Sequence, residues 1–340
     1  MSLIVFIGVF AIGNPIDVLI DPAANQLERD AAIKSLGLDK PMWQQYFTFL
    51  GNAAQGDLGD SFVYNEPAIK LILTRLPATL ELSIAAMILA VAIGLPLGLI
   101  AGLYPGKLID RTLMSTSILM FSLPTFWVGL LLIMFFAVQL NILPAGGRGD
   151  TVNIFGIQFS FLTWDGLTHL ALPALNLAMF KMALVMRLVR AGVQEQMSSD
   201  YVAFARAKGV SERRIVFRHV LSNIMIPVVT VLGLEFGNLL AFAVVTETIY
   251  AWPGMGKLLI NSIQVLDRPV VVAYLMLTVL MFILINFLKV WSYMWLNFIS
   301  NAVGGMSATS TLYNLYYALY AVCFMNYLVV WWTTYSFDID

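Results

Sequence analysis

Cysteine is almost absent. Cys323 stands alone in 340 residues, so no intrachain disulfide can form and no Cys/His set has the spacing of a zinc site. Histidine is as scarce: His169 and His219 lie far apart in sequence, which gives no pattern for a metal site or a proton relay. Charge is thin too, at 11% of residues, and a net charge of −1 without a recognition motif gives no case for nucleic acid. No Ser/His/Asp arrangement or paired-carboxylate motif stands out. The loop G-x-x-x-x-G-K-[ST], whose backbone amides and lysine would cradle phosphates, is missing, so the chain is not expected to bind or hydrolyse ATP itself. These absences predict no catalytic residue, no metal and no resident cofactor.

What is abundant is apolar surface. Hydrophobic residues make up 60% of the chain, and the mean hydropathy of +0.83 places it among membrane proteins. A spanning helix needs about 20 apolar residues. Stretches near 80–104, 116–140, 224–246 and 270–288 qualify, and 168–189 qualifies despite Lys181. Residues 2–13 would make only about 18 Å of helix against about 30 Å of hydrocarbon. That run is expected to be the end of a first spanning helix. A signal-peptide core fits less well, since no basic region precedes it and no clean cleavage site follows. The fold class expected is an all-α integral membrane bundle of about six transmembrane helices.

Seven of the 19 Lys and Arg residues fall between Arg187 and Arg218. With segment 14–79 outside, ten basic residues lie inside and eight outside; short loops decide orientation, so the dense cluster is predicted to be cytoplasmic. Gly94, Gly98 and Gly102 repeat at four-residue spacing, as do Gly233 and Gly237, so each set shares a helix face. Lipid gives no hydrophobic drive for helix association, and small residues permit the close approach that replaces it. These glycines are read as packing positions. Pro96, Pro124, Pro173 and Pro227 interrupt helices or mark their ends.

Within the basic stretch, 203–208 is predicted to be helical and 211–221 to be a second helix. Ser211 is placed to cap it, with Glu212 in its first turn. Gly209 between them suits a left-handed backbone. The expected object is a helix–Gly–helix elbow with small residues at its bend. An ordinary positive-inside loop resting on anionic lipid is the other reading of the charge.

Residues 200–229, "DYVAFARAKGVSERRIVFRHVLSNIMIPVV", resemble the cytoplasmic loop of binding-protein-dependent ABC importer permeases. The closest likeness is to the first (B-type) subunit of the peptide/nickel (dipeptide/oligopeptide) subfamily. The general pattern Glu-Ala-Ala, three residues, Gly is met only at Ala205 and Gly209, since Ala203 and Phe204 fill the first two places. The subfamily's Ala-Arg-Ala-Lys-Gly is complete at 205–209. "GLDKP" (37–41) with Gln45 and Tyr46, "GDLGDS" (56–61), "RLPATLEL" (75–82), "THLALPAL" (168–175), "ETIYAWPGMGKLL" (247–259) and "SYMWLN" (292–297) resemble further subfamily segments in the right order. The resemblance runs from about 14 to 297.

The resemblance implies the type I ABC importer permease fold in a bacterial cytoplasmic (inner) membrane. It implies a homologous second permease, giving a heterodimer, together with two ABC ATPase subunits that carry ATP and Mg, and an external solute-binding protein. Ala203, Phe204, Ala205, Lys208, Gly209, Val210, Ser211 and Glu212 would form the loop that couples to the ATPases. Glu247, Trp252, Pro253, Gly254 and Gly256 would lie where the binding protein docks. Peptides are the implied cargo, with nickel, glutathione or sugar-like solutes also known in the subfamily.

Three segments are expected: 1–75, a first helix plus an external segment; 76–298, the permease core with its loop at 190–222; and 299–340, a tail outside the resemblance. Residues 313–332 could be a seventh span, an interfacial segment or a tail without an evolved role. Lys181 stands where the family usually has a small or apolar residue, and Glu235 where glutamine is common. A central charge costs about 2.5–3.5 kcal/mol to insert. Glu235 is therefore expected to partner Lys181 along the translocation path; snorkelling of Lys181 to the interface is the alternative. Rival classes are an ion-coupled secondary transporter, which would show an inverted repeat not seen here, and a non-transporting membrane assembly protein.

Overall fold

The computed structural model describes residues 6, 26–35, 39–154 and 156–302. The predicted first span, apart from Phe6, and the aromatic run 313–332 lie outside the described residues. The chain divides into two units, 1–285 and 286–340; the account below is of the first.

Two short helices, α1 (Gln26–Ser35) and α2 (Met42–Ala54), precede α3 (Ala68–Leu103). At 1.5 Å per residue α3 is about 54 Å long, well beyond a hydrocarbon core of about 30 Å. It begins a dozen residues before the apolar stretch and runs through position 75, where the first segment was expected to end. Lys70 and Arg75 hide this start from a hydropathy reading. Ala68 and Ile72 nevertheless pack fully buried with Met255, Leu258, Val270 and Ala273.

The stretch 116–140 is not one continuous helix. Helix α4 (Leu108–Ser122) stops at Leu123, and α5 (Thr125–Leu132) restarts after Pro124, at a bend of 104°. Proline carries no N–H and forces the residue before it into an extended conformation, which ends α4 there; Leu123 has ψ 136°. A π-helical turn, Ile133–Gln139, continues α5. Next comes a departure from the all-α expectation: a small antiparallel hairpin of β1 (Val152–Ile154) and β2 (Ile157–Phe159). Its turn is held by the Gly156 amide donating to Asn153 Oδ1 at 2.8 Å.

Helix α6 (Trp164–Met197) follows, capped by Thr163, whose hydroxyl accepts from the Gly166 amide at 2.9 Å. It runs parallel to α3 in backbone contact. A Cβ on Gly94 would sit 2.9 Å from the Met182 carbonyl oxygen, on Gly98 2.7 Å from that of Met186, and on Gly102 2.6 Å from Val193 Cβ. Gly237 faces the Phe282 ring, while Gly233 is partly exposed.

After α6 come α7 (Asp200–Ala207), the single turn α8 (Glu212–Arg214), a π-helical stretch Ile215–Val220, and α9 (Leu221–Ile249). Helices α10 (Met255–Gln264) and α11 (Arg268–Ala302) complete the order. Among the described residues three helical segments are long and apolar enough to cross a membrane: Ala68–Leu103, Trp164–Met197 and Pro227–Ile249. The bent pair, taken as one span, makes four, and Arg268–Leu284 is a shorter apolar helix.

Candidate functional site

Helix α7 ends in a Schellman motif. The Val210 amide donates to the Ala205 carbonyl at 3.1 Å and the Gly209 amide to the Arg206 carbonyl at 2.9 Å. Gly209 occupies the left-handed position with φ 77°. The hydrophobic contact that accompanies such a cap is present, since Ala205 and Val210 both pack on one cluster. That cluster buries Val202, Ile215, Val216 and Val220 against Val189 and Val193 of α6 and Leu99 of α3. The elbow is therefore bolted to the two long helices on its underside.

Its other face is open. Phe204 is 61% and Phe217 57% exposed, and Ala203, Arg206, Lys208, Gly209, Ser211, Glu212, Arg213 and Arg214 are exposed around them. Lys208 Nζ lies over the Phe204 ring at 4.4 Å from its centre, within cation–π reach. Arg206 closes the elbow with a forked contact to Glu212, at 2.6 and 3.2 Å. The hydrogen bonds from that guanidinium hold the Glu212 carboxyl below the ordinary glutamate range.

Three details differ from the sequence reading. Ser211 precedes α8, but its side chain makes no cap hydrogen bond. The second arm is not a plain α-helix, because Ile215–Val220 is π-helical. Ala205 and Val210 turn partly inward and hold the bend together, so neither is a freely exposed docking residue.

The second predicted feature lies along the bundle. Lys181, only 6% exposed, forms an ion pair with Glu235 across α6 and α9. Asn238 Nδ2 lies 3.5 Å from Glu235 Oε1. A buried charge left alone after one partner is removed costs about 3–5 kcal/mol, whereas neutralising both is often harmless. Lys181→Met is therefore expected to lower membrane abundance sharply, and Lys181→Met with Glu235→Gln to restore most of it, read by quantitative immunoblot of membranes. Equal, additive losses from the two substitutions would show that the pair carries no mutual stabilisation.

Residues 94–298 match the model of the family described as binding-protein-dependent transport system inner membrane component. The chain belongs to this family. The di/tripeptide transport system permease protein DppB of Pseudomonas aeruginosa is 44% identical over 290 residues, covering 81% of this chain and 86% of that protein. The dipeptide transport system permease protein DppB of Escherichia coli K12 is 38% identical over 294 residues, with the same coverage. The oligopeptide transport system permease protein AppB of Bacillus subtilis is 38% identical over 275 residues, covering 81% and 85%. In a solved structure of the MetNI methionine ABC transporter in inward-facing conformations, one chain is similar with a TM-score of 0.49 at 18% identity, over 64% of this chain and 93% of that one. The protein is thus an inner-membrane permease subunit of a binding-protein-dependent ABC importer, with the helical permease fold.

At the end of the permease away from the elbow, the residues assigned to binding-protein contact are mostly inside. Glu247 and Trp252 are fully buried, and Gly254 and Gly256 are buried with them. The Glu247 carboxylate accepts from the Thr79 hydroxyl at 2.6 Å and the Lys257 amide at 3.0 Å. It thus sits at the N-terminus of α10, where the helix dipole favours an anion. Trp252 Nε1 donates to the Ala78 carbonyl at 2.9 Å. Gly254 is required because a Cβ there would overlap the Glu247 carboxylate, at 2.2–2.4 Å. These four positions are corrected from docking contacts to an internal clasp between α9, α10 and α3; Pro253 is partly exposed and Ala251 exposed.

Sequence reasoning missed other polar clasps. Glu81 of α3 takes a hydrogen bond from Arg148 at 2.6 Å and from the amides of Ser160 and Phe161 at 2.7 and 2.8 Å, which fastens the hairpin to α3. At the elbow end, Asp110 of α4 accepts a forked contact from Arg190 of α6, with Nη2 at 2.9 Å, and a hydrogen bond from the Gly106 amide at 2.8 Å. Asp267 accepts from the Ser61 hydroxyl and the Phe62 amide and ties "GDLGDS" to the start of α11. Apart from the Gly106 amide, the partners named for Glu81, Asp110 and Asp267 lie 67 or more residues away, where no local pattern points to them.

Proposed function

We propose that this permease, paired with a homologous second permease, carries di- and oligopeptides into the cell. An external binding protein delivers the cargo, and two ATPase subunits grip the elbow at Gly209 and drive the helices between outward- and inward-open states. The observation that carries the reading is the two-sided elbow. Its apolar underside is continuous with the packing of α3 and α6. Its outer face offers Phe204 and Phe217 among Arg213, Arg214 and Lys208.

Exposed aromatic residues beside arginine are the composition that anchors protein interfaces. A loop resting on lipid needs its basic residues but not the rigid left-handed corner or the bolted underside. ATP and Mg belong to the partner subunits in this reading, and the permease holds no cofactor of its own. Peptide cargo is supported by the named activities of the three relatives and by similarity to them over 81% of the chain.

A cysteine at position 204, in a chain whose only native cysteine is Cys323, is expected to cross-link to an ATPase subunit in membranes of cells importing peptide. The cross-linked fraction should change with the nucleotide state. Cross-linking to lipid alone, or to nothing, would remove the elbow from the mechanism.

A further inference from the structure

A chain of contacts links α4, α6 and α9 and is absorbed by neither the elbow nor the clasps. Glu235 pairs with Lys181. Lys181 Nζ lies 5.3 Å from the centre of the Phe180 ring. Phe180 stacks on Phe121 of α4 at 4.2 Å, and the Arg187 guanidinium lies over Phe121 at 4.7 Å. This strip is open on one side. Phe121 is 45% exposed, Phe180 and Arg187 are partly exposed, and the Glu235 side chain is 21% exposed against 8% for Lys181. On α9, Glu235 shares its face with Asn238 and Phe242, at three- and seven-residue spacing, and Phe242 is 70% exposed.

Charge on an open face inside a membrane bundle sets what that face can meet. A central ionised side chain against lipid costs about 2.5–3.5 kcal/mol on insertion scales, so such residues face a cavity, water or protein. Arg187, the first residue of the basic cluster, lies six residues nearer the elbow end of α6 than Lys181, and among the described residues it forms no ion pair. An arginine held over an aromatic ring with its fork unpaired is suited to a carboxylate.

The spacing selects the length of the occupant. Glu235 is held at Lys181, and Lys181 and Arg187 are six residues apart on α6, an axial rise of about 9 Å. An extended peptide of two or three residues spans about 7–11 Å at 3.3–3.6 Å per residue. We propose that Glu235 and Arg187 hold the ammonium and carboxylate ends of a short peptide in transit, with Phe121 and Phe180 beneath its side chains and Lys181 covering Glu235 when cargo is absent. This rests on the peptide reading above. Exchange of partners keeps Glu235 paired throughout: it passes from Lys181 to the ammonium while Arg187 gains the carboxylate. Cargo that must displace Lys181 from Glu235 binds weakly, and a translocation path needs weak binding so that cargo leaves.

The test uses the complete transporter in proteoliposomes, with its second permease, ATPase subunits and binding protein, and radiolabelled dialanine as cargo. The readout is peptide imported per ATP hydrolysed. Losing one charge-assisted hydrogen bond to cargo is expected to lower this ratio about tenfold or more in Arg187→Gln. Arg187→Lys should recover much of the loss. The Lys181→Met, Glu235→Gln double variant should insert normally yet show a similar fall. Import and hydrolysis that decline in proportion, or a ratio unchanged in both variants, overturns the site while leaving the peptide reading standing. A wild-type transporter that moves no peptide overturns the peptide reading and this site together.

Discussion

Replacing Gly209 with proline is expected to reduce binding-protein-stimulated ATP hydrolysis by the assembled transporter to its unstimulated rate while the permease still inserts in the membrane. Two physical faults act at one residue. Gly209 has φ 77°, whereas the proline ring fixes φ near −65°. Proline also lacks the N–H that Gly209 donates to the Arg206 carbonyl. Bulk is not the cause, because a Cβ at this position meets nothing within 4 Å. The variant series separates these effects. Gly209→Asn keeps the amide and tolerates the left-handed region, so it should retain most of the stimulation. Gly209→Val keeps the amide but pays about 1–2 kcal/mol of backbone strain, and it should fall between. The spans lie outside the elbow, so immunoblot of the membrane fraction should show similar amounts in all three. Full stimulation in the proline variant would mean that force reaches the helices by another route.

Gly209 and the glycine ladder were legible because each is a demand of the backbone. A left-handed corner or a close helix crossing admits few residue types, and the spacing records it. The partnership of Lys181 with Glu235 was legible for a different reason: a charge in an apolar run must be compensated, and few candidates exist. What stayed hidden depended on direction and distance. The break at Pro124 divides an unbroken apolar stretch, since hydropathy measures greasiness and is blind to a 104° bend. Motif likeness marked Glu247 and Trp252 as important but could not say which way they face, and both turn inward. The Asp110 and Arg190 clasp joins residues 80 apart in sequence, and nothing local to either residue points to the other.

Gly98→Leu is expected to prevent the permease from accumulating in the membrane, and Gly98→Ala to lower its amount and its thermal stability in detergent. A Cβ on Gly98 would lie 2.7 Å from the Met186 carbonyl oxygen and 2.8 Å from Val189 Cβ. The first of these is backbone inside a helix and cannot rotate away. Relief requires α3 and α6 to separate, and overpacking of this kind costs about 1–3 kcal/mol even when side chains can adjust. Gly51→Ala is the control, because its Cβ would meet nothing within 4 Å and should leave abundance unchanged. The alanine variant carries the functional half of the argument. Val189 stands against Gly98 and also packs with Val202 and Ile215 beneath the elbow. A shift of α6 at Gly98 therefore moves the seat on which the elbow rests. The Gly98→Ala protein that does reach the membrane should show reduced stimulated hydrolysis per molecule, measured after normalising to the inserted amount. Wild-type hydrolysis per inserted molecule would show that the elbow tolerates movement of its seat, and the α3 and α6 contact would then serve folding alone.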